Sequence, residues 1–385
     1  MLPKPHLTPD SFFHETSSQQ PFPSQSPWPV TIYFITGNPG LISYYHAFLS
    51  SLADRLVPGS HPSSASDRKS GVKSRYHIFG HSLAGFELDG LNATSKSGFS
   101  GGGKQVHQEG YPYSLEDQIC YVQRKLQAHM SSLRAEYPTP GELDRSDSTS
   151  KSRLPARPKV ILIGHSVGAY IAMEVLRRHR ENQQQYTKAG SKAAADGFEI
   201  TGGIMLFPTV MDIAKSPSGQ KLTLLLKTIP QLAIVVSFFA RLLTMILPNV
   251  VLRAVVRAVM RSPPDAAVDT TSAFLKSRCG VRQAIHMAAD EMMTISTDKW
   301  SDDVWGISSP KAAESLTRLF FYFGRNDHWI AEQTREDIVA LRGWTKTGPK
   351  MIVCEESVPH AFCLRHNETM AAKVADMIRN IIEVE

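Results

Sequence analysis

Short apolar runs, rich in β-branched and aromatic residues, alternate along this chain with segments of helical period. The first clear run, Val30 to Ile35, closes on Gly37-Asn38-Pro39-Gly40. That pattern predicts a buried strand ending in a tight loop, followed by a helix through about residues 43–56. Further strands are predicted at Tyr76 to Gly80, Lys159 to Ile163, Gly203 to Phe207, Leu319 to Phe323 and Met351 to Cys354. Helices are predicted from Ser114 to about Tyr137, with Ser114 and Asp117 as an N-terminal cap, and at Val167 to Arg180, Glu332 to Leu341 and Asn367 to Ile382. Strands alternating with helices imply an α/β fold whose mostly parallel sheet is covered on both faces.

Three kinds of segment break the alternation. Residues 1–29 carry Pro, Ser and Gln without sustained period and read as a loose lead-in. The stretches 58–75, 91–110, 139–158 and 181–198 are too polar to bury anything and read as surface insertions. Residues 212–300 are helical in composition throughout and read as a cap inserted into a core formed by 30–211 and 301–385.

With 385 residues, 42% apolar and 20% charged, the chain has the means for a sizeable soluble core and is neither disordered nor polytopic. A net charge of +6 is too mild to imply nucleic acid, and none is expected as a partner. Cys120, Cys279, Cys354 and Cys363 lack paired spacing, so neither a disulfide framework nor a metal site is suggested, and a reducing, cytosol-facing environment fits. No cleavable secretory leader is visible at the N-terminus.

The chemistry concentrates at Gly164-His165-Ser166-Val167-Gly168, a G-x-S-x-G motif between a predicted strand and a predicted helix. A serine at such a sharp turn is pushed out of the sheet toward substrate, which makes Ser166 the candidate nucleophile. A second Gly-His-Ser at residues 80–82 also follows a strand, but no helix follows it to present N–H groups, so Ser82 is a decoy. A serine needs a histidine base, and the histidine an orienting carboxylate. Asp327, in the loop after the strand ending at Phe323, is the candidate acid, with Asp212 as rival. His360, after the last strand, is the candidate base, with His366 as competitor at the start of the final helix. His165 reads as structural. For the oxyanion, the backbone of Val167 supplies one N–H and that of Asn38 a second, since Pro39 has none to give. No metal or organic cofactor is called for.

Gly37-Asn38-Pro39-Gly40 with Tyr44-Tyr45 and Phe48, the elbow Gly164 to Tyr170, Phe207-Pro208-Thr209 to Ser216-Pro217, Gly324 to Trp329 and Pro359 to Phe362 together resemble the lipid droplet-associated serine hydrolase family. Ala331 departs from the pattern, where a proline is expected. The resemblance implies an α/β-hydrolase fold, residence on lipid droplets and endoplasmic reticulum, and Ser166, Asp327 and His360 at the triad positions. It implies a lipid ester substrate, either a sterol ester or an acylglycerol. A weakly catalytic droplet-surface protein and an acyltransferase using the same acyl-enzyme are the alternatives.

From Ile213 to Pro264 no acidic residue occurs, while Lys215, Lys221, Lys227, Arg241, Arg253, Arg257 and Arg261 are basic. The 17 residues between Pro230 and Pro248 would make a helix of about 26 Å, short of the roughly 30 Å hydrocarbon core. Arg241 near its centre would cost about 2.5 to 3.5 kcal/mol more. The expectation is therefore a helical hairpin over about 221–262, turning near Pro248 and lying on a phospholipid monolayer, with Arg253, Arg257 and Arg261 toward headgroups. An ordinary cap roofing an acyl pocket is the plainer reading.

Overall fold

The computed structural model describes residues 4–16, 28–57, 75–88, 112–137, 157–188, 197–307, 317–343 and 348–383. The four polar stretches expected as insertions lie mostly outside the described residues. Eight strands form one sheet: β1 (His6–Thr8), β2 (Ser11–Glu15), β3 (Val30–Ile35), β4 (Tyr76–His81), β5 (Lys159–His165), β6 (Glu199–Leu206), β7 (Arg318–Phe323) and β8 (Lys350–Val353), in the order β1-β2-β4-β3-β5-β6-β7-β8. From β4 to β8 every neighbouring pair is parallel. The central strands bury nearly every side chain, as a sheet sandwiched between helical layers requires.

One layer holds α1 (His46–Leu56), entered through a 3-10 turn at Ile42–Tyr45, and α10 (Asn367–Glu383), which pack on each other. α10 turns Met370, Ala371, Val374, Ala375 and Ile378 inward, and α1 turns Phe48, Leu49 and Leu52 to the same core. The opposite layer holds α2 (Leu115–Glu136) and α3 (Val167–Lys188), with α9 (Glu332–Arg342) adding Ile338. α2 starts with a full capping box: Ser114 Oγ accepts from Asp117 N–H, and the Asp117 carboxylate accepts from Ser114 N–H at 2.9 Å.

The lead-in expectation for residues 1–29 needs correction. Residues 6–8 and 11–15 are strands, and β2 pairs antiparallel with β4. The cause is a two-residue alternation too short to stand out in the sequence: Phe12 and His14 are buried while their neighbours are half-exposed. α3 likewise runs into the expected insertion at 181–198, as far as Lys188.

Residues 213–294 form the cap: a 3-10 turn at Ile213–Lys215, then α4 (Pro217–Thr228), α5 (Leu232–Ile246), α6 (Asn249–Val259), α7 (Asp265–Lys276) and α8 (Gly280–Thr294). The chain does turn at Leu247-Pro248. The two arms are nonetheless not a self-packed hairpin: α5 rests on α8 and α7, while α6 rests on α7, where Leu252, Val256 and Val268 form a small core of their own. The arginines differ from expectation as well. Arg253 pairs with Asp269 and Arg257 with Asp265, both on α7, and Arg241 donates to the Arg278 carbonyl at 2.6 Å. The Arg261 carbonyl accepts from Arg365. Two carboxylates just beyond the acid-free stretch thus meet charges assigned to headgroups.

Candidate active site

Parallel pairing sets the site. Gly164 lies beside Met205, Leu206 beside Tyr322, and Phe323 beside Val353, so the carboxyl ends of β5, β6, β7 and β8 finish at one edge. Loops leaving that edge carry Ser166, Asp327 and His360 into one place although up to 194 positions separate them. His360 Nε2 lies 3.0 Å from Ser166 Oγ, and His360 Nδ1 lies 2.7 Å from Asp327 Oδ2.

Ser166 joins β5 to α3 with φ +56°, a conformation costly for a residue with a Cβ. The two flanking glycines make the turn possible. A Cβ on Gly164 would stand 2.3 Å from the Gly168 carbonyl oxygen, and one on Gly168 would stand 2.4 Å from that of Ile35. No other residue fits either position, which is the physical content of the motif.

Asp327 is buried and serves two partners at once: Oδ2 meets His360, and Oδ1 accepts from Trp329 N–H at 2.8 Å. The second bond makes Asp327 a turn-forming side chain as well, which fixes the carboxylate's direction. The rivals lie elsewhere. Asp212 pairs with Lys215 at 2.9 Å, His366 stands at the entry to α10, and Ser82 is buried with its Oγ accepting from Ile42 N–H.

Val167 opens α3, and its N–H, like that of Asn38, meets no protein acceptor among the described residues. The Gly37 loop closes on the elbow: a Cβ on Gly37 would lie 3.0 Å from both Ser166 Cβ and His165 Nδ1. A helix-opening N–H next in sequence to the serine, with a second N–H on the loop packed against the elbow, is an arrangement able to receive a negative oxygen.

His165 has a part that spacing alone did not reveal. It is buried; Tyr45 Oη lies 2.8 Å from its Nδ1, and its Nε2 lies 2.9 Å from the His360 carbonyl oxygen. A carbonyl only accepts, so His165 donates from Nε2 and receives the Tyr45 hydroxyl proton at Nδ1. Tyr45 Oη in turn accepts from Gly37 N–H at 3.3 Å. Burial, and next to it His360, holds the His165 imidazole well below the ordinary histidine pKa, so it stays neutral and this chain of bonds keeps one direction. The loop at Gly37 and the backbone of His360 are thereby tied through two buried side chains. Tyr44-Tyr45 sat among the family-like motifs, but only the fold shows that Tyr45 faces His165.

Among the described residues no group of three His, Cys, Asp or Glu is placed to hold a metal ion. All four cysteines carry free thiols.

A mostly parallel sheet with helices on both faces, a positive-φ serine at a strand-to-helix elbow and a cap inserted after β6 define an α/β-hydrolase. Residues 29–363 match the model of the lipid-droplet associated hydrolase family, and the chain belongs to that family. The lipid droplet-associated hydrolase of Mus musculus is 24% identical over 351 residues, covering 91% of this chain and 84% of that protein. That of Homo sapiens is 23% identical over 370 residues, covering 96% and 88%. Among solved structures, a peroxisomal alpha-beta-hydrolase from Saccharomyces cerevisiae is similar with a TM-score of 0.53 at 10% identity, over 97% of this chain and 82% of that one. At such identity the likeness concerns the fold.

Proposed function

We propose that this protein hydrolyses carboxylic esters of lipids, a sterol ester or an acylglycerol, on the phospholipid monolayer of lipid droplets and the cytosolic face of the endoplasmic reticulum. The observation that carries the reaction is the unbroken line from Ser166 Oγ through His360 to Asp327. In this reading His360 Nε2 takes the hydroxyl proton as Ser166 Oγ attacks the ester carbonyl, while Asp327 fixes the Nδ1–H tautomer and stabilises the imidazolium. The N–H groups of Val167 and Asn38 receive the tetrahedral oxyanion. Collapse expels the alcohol with the proton from His360, and water then releases the acid from the acyl-serine by the same path.

The lipid surface is supported by the names of the relatives and by the outer face of the cap. Phe238 and Phe239 are each 61% exposed, Met245 83% and Val250 79%, an apolar density unusual for a surface facing water. Among the described residues no single helix is long and apolar enough to cross a membrane, and α4 and α5, which reach that length and apolarity only in combination, are bent by 94°. Lying on one leaflet suits that shape. The same face favours a second reading, a droplet-surface module with an idle triad.

Labelling with a fluorophosphonate separates the two. Labelling lost in Ser166→Ala and kept in Ser82→Ala, with hydrolysis of a lipid ester from a panel, supports the enzyme. Labelling that persists in Ser166→Ala refutes the assignment. Deleting residues 221–262 should release the protein from droplets, and unchanged targeting would remove the lipid-surface claim.

A further inference from the structure

The cap makes polar contact with the Asn38 loop at the catalytic edge. Asn38 Nδ2 donates to Glu291 Oε1 at 2.9 Å and to the Ala284 carbonyl at 3.0 Å, both on α8. α8 is itself tied to the core. Gln283 accepts from Tyr113 N–H at 2.7 Å and donates to its carbonyl at 2.9 Å, and Asp290 accepts from Leu115 N–H at 2.6 Å.

Two features of this contact are otherwise unexplained. Asn38 Oδ1 is buried and meets no donor, a costly state for an amide oxygen. Glu291, only 5% exposed, has no cation beside it. Burial pushes its carboxyl up to about 8, against the hydrogen bond from Asn38 and with a smaller push from Asp290. Among the described residues Asp290 is the one charged group acting on it. α2, α4, α5, α7 and the turn at Ile213–Lys215, all packed on α8, bring no other.

A carboxylic acid answers both features together. Its carbonyl oxygen accepts from Nδ2 while its hydroxyl donates to Oδ1, closing a two-bond ring between acid and amide. We propose that Glu291 is a positioning residue, held as the neutral acid and paired with the Asn38 carboxamide through both oxygens, so that the cap fixes the Asn38 backbone N–H against the oxyanion. This rests on the reading of Asn38 as an oxyanion donor. Ionisation of Glu291 takes away the donated proton and sets a negative charge against Oδ1, so the loop loosens and kcat falls as pH rises through that range.

The experiment measures kcat and KM for a short, soluble p-nitrophenyl ester across pH about 6 to 10 in wild type, Glu291→Ala and Glu291→Gln, and the melting temperature of each. Glu291→Ala should lower kcat about 10- to 100-fold with KM within about threefold. Glu291→Gln, whose amide closes the same ring, should recover most of that loss and lack the wild-type decline above pH about 8. The melting comparison needs no turnover. Between 4.5 and about 8 the folded wild type keeps a proton that the unfolded chain releases, so its stability drops across that window as pH rises. The advantage of Glu291→Gln in melting temperature should then grow by at least about 4 °C from pH 5 to 9. Wild-type kcat in Glu291→Ala, or a Glu291→Gln variant with the wild-type alkaline decline and an unchanging melting difference, overturns the proposal. Turnover indifferent to Ser166→Ala defeats the hydrolase reading instead, and the melting comparison then decides alone whether Glu291 holds the proton.

Discussion

α10 and α5 are of similar length, 17 and 15 residues, yet they use apolar side chains in opposite ways. α10 mixes charges with Met370, Ala371, Val374, Ala375 and Ile378, and places each of these five at 1% exposure or less. α5 has one charge, Arg241, and still leaves Phe238, Phe239, Met245 and Ile246 more than half exposed. The more apolar helix is the less buried one. Amount of hydrophobicity thus says that a surface wants covering, whereas periodicity says whether the chain can cover it by itself. The core satisfies its own helices; the cap keeps an unmet demand on its outer face, which the proposed monolayer would meet.

The comparison yields graded tests, since damage to the core edge should abolish turnover of every ester and damage to the cap face only that of esters in an oil phase. Ser166→Ala should cost at least about 10³-fold in kcat on soluble and emulsified esters alike, measured by release of the carboxylic acid at unchanged circular dichroism. Asp327→Asn should cost about 10³- to 10⁴-fold through the wrong His360 tautomer, read from kcat at constant KM. Replacing Phe238 and Phe239 by Ser should lower partitioning onto phospholipid-coated oil droplets about 10- to 100-fold in a flotation assay, because each ring buried in lipid contributes about 1.5 to 3 kcal/mol at most. Equal losses on soluble and emulsified substrates in that variant would break the division between core and cap. Tyr45→Phe should cost about tenfold in kcat and about 1 to 3 kcal/mol of stability, by leaving His165 Nδ1 without its donor. Arg253→Ala should change stability by less than about 1 kcal/mol in chemical denaturation, as a partly exposed ion pair does.

How much of this was legible in the sequence follows from the range of the signals. Ser166 could be read because the elbow is local: a strand, two small residues and a helix within about fifteen positions. Asp327 and His360 could be read because parallel strands put the loops that follow them at one edge. β2 could not, since five residues with two inward side chains hardly differ from chance and its partner β4 lies some 65 positions further on. His165, Tyr45 and Glu291 escaped for a related reason. Their roles are defined by what faces them across 120, 8 and 253 positions of chain, and no spacing rule reports that. The pairing of Arg253 and Arg257 with Asp269 and Asp265 was hidden by drawing a boundary at Pro264, immediately before the first carboxylate.

The short first strand settles how the sheet stops growing on that side. Were β4 the last strand, its six-residue rim of free amides and carbonyls would invite a second molecule to add on. β2 covers that rim, and β1 follows with only His6–Thr8, bracketed by Pro5 and Pro9, which have no amide hydrogen to offer. On the proposed lipid surface, where copies of the chain would crowd together, this border would resist polymerisation strand to strand.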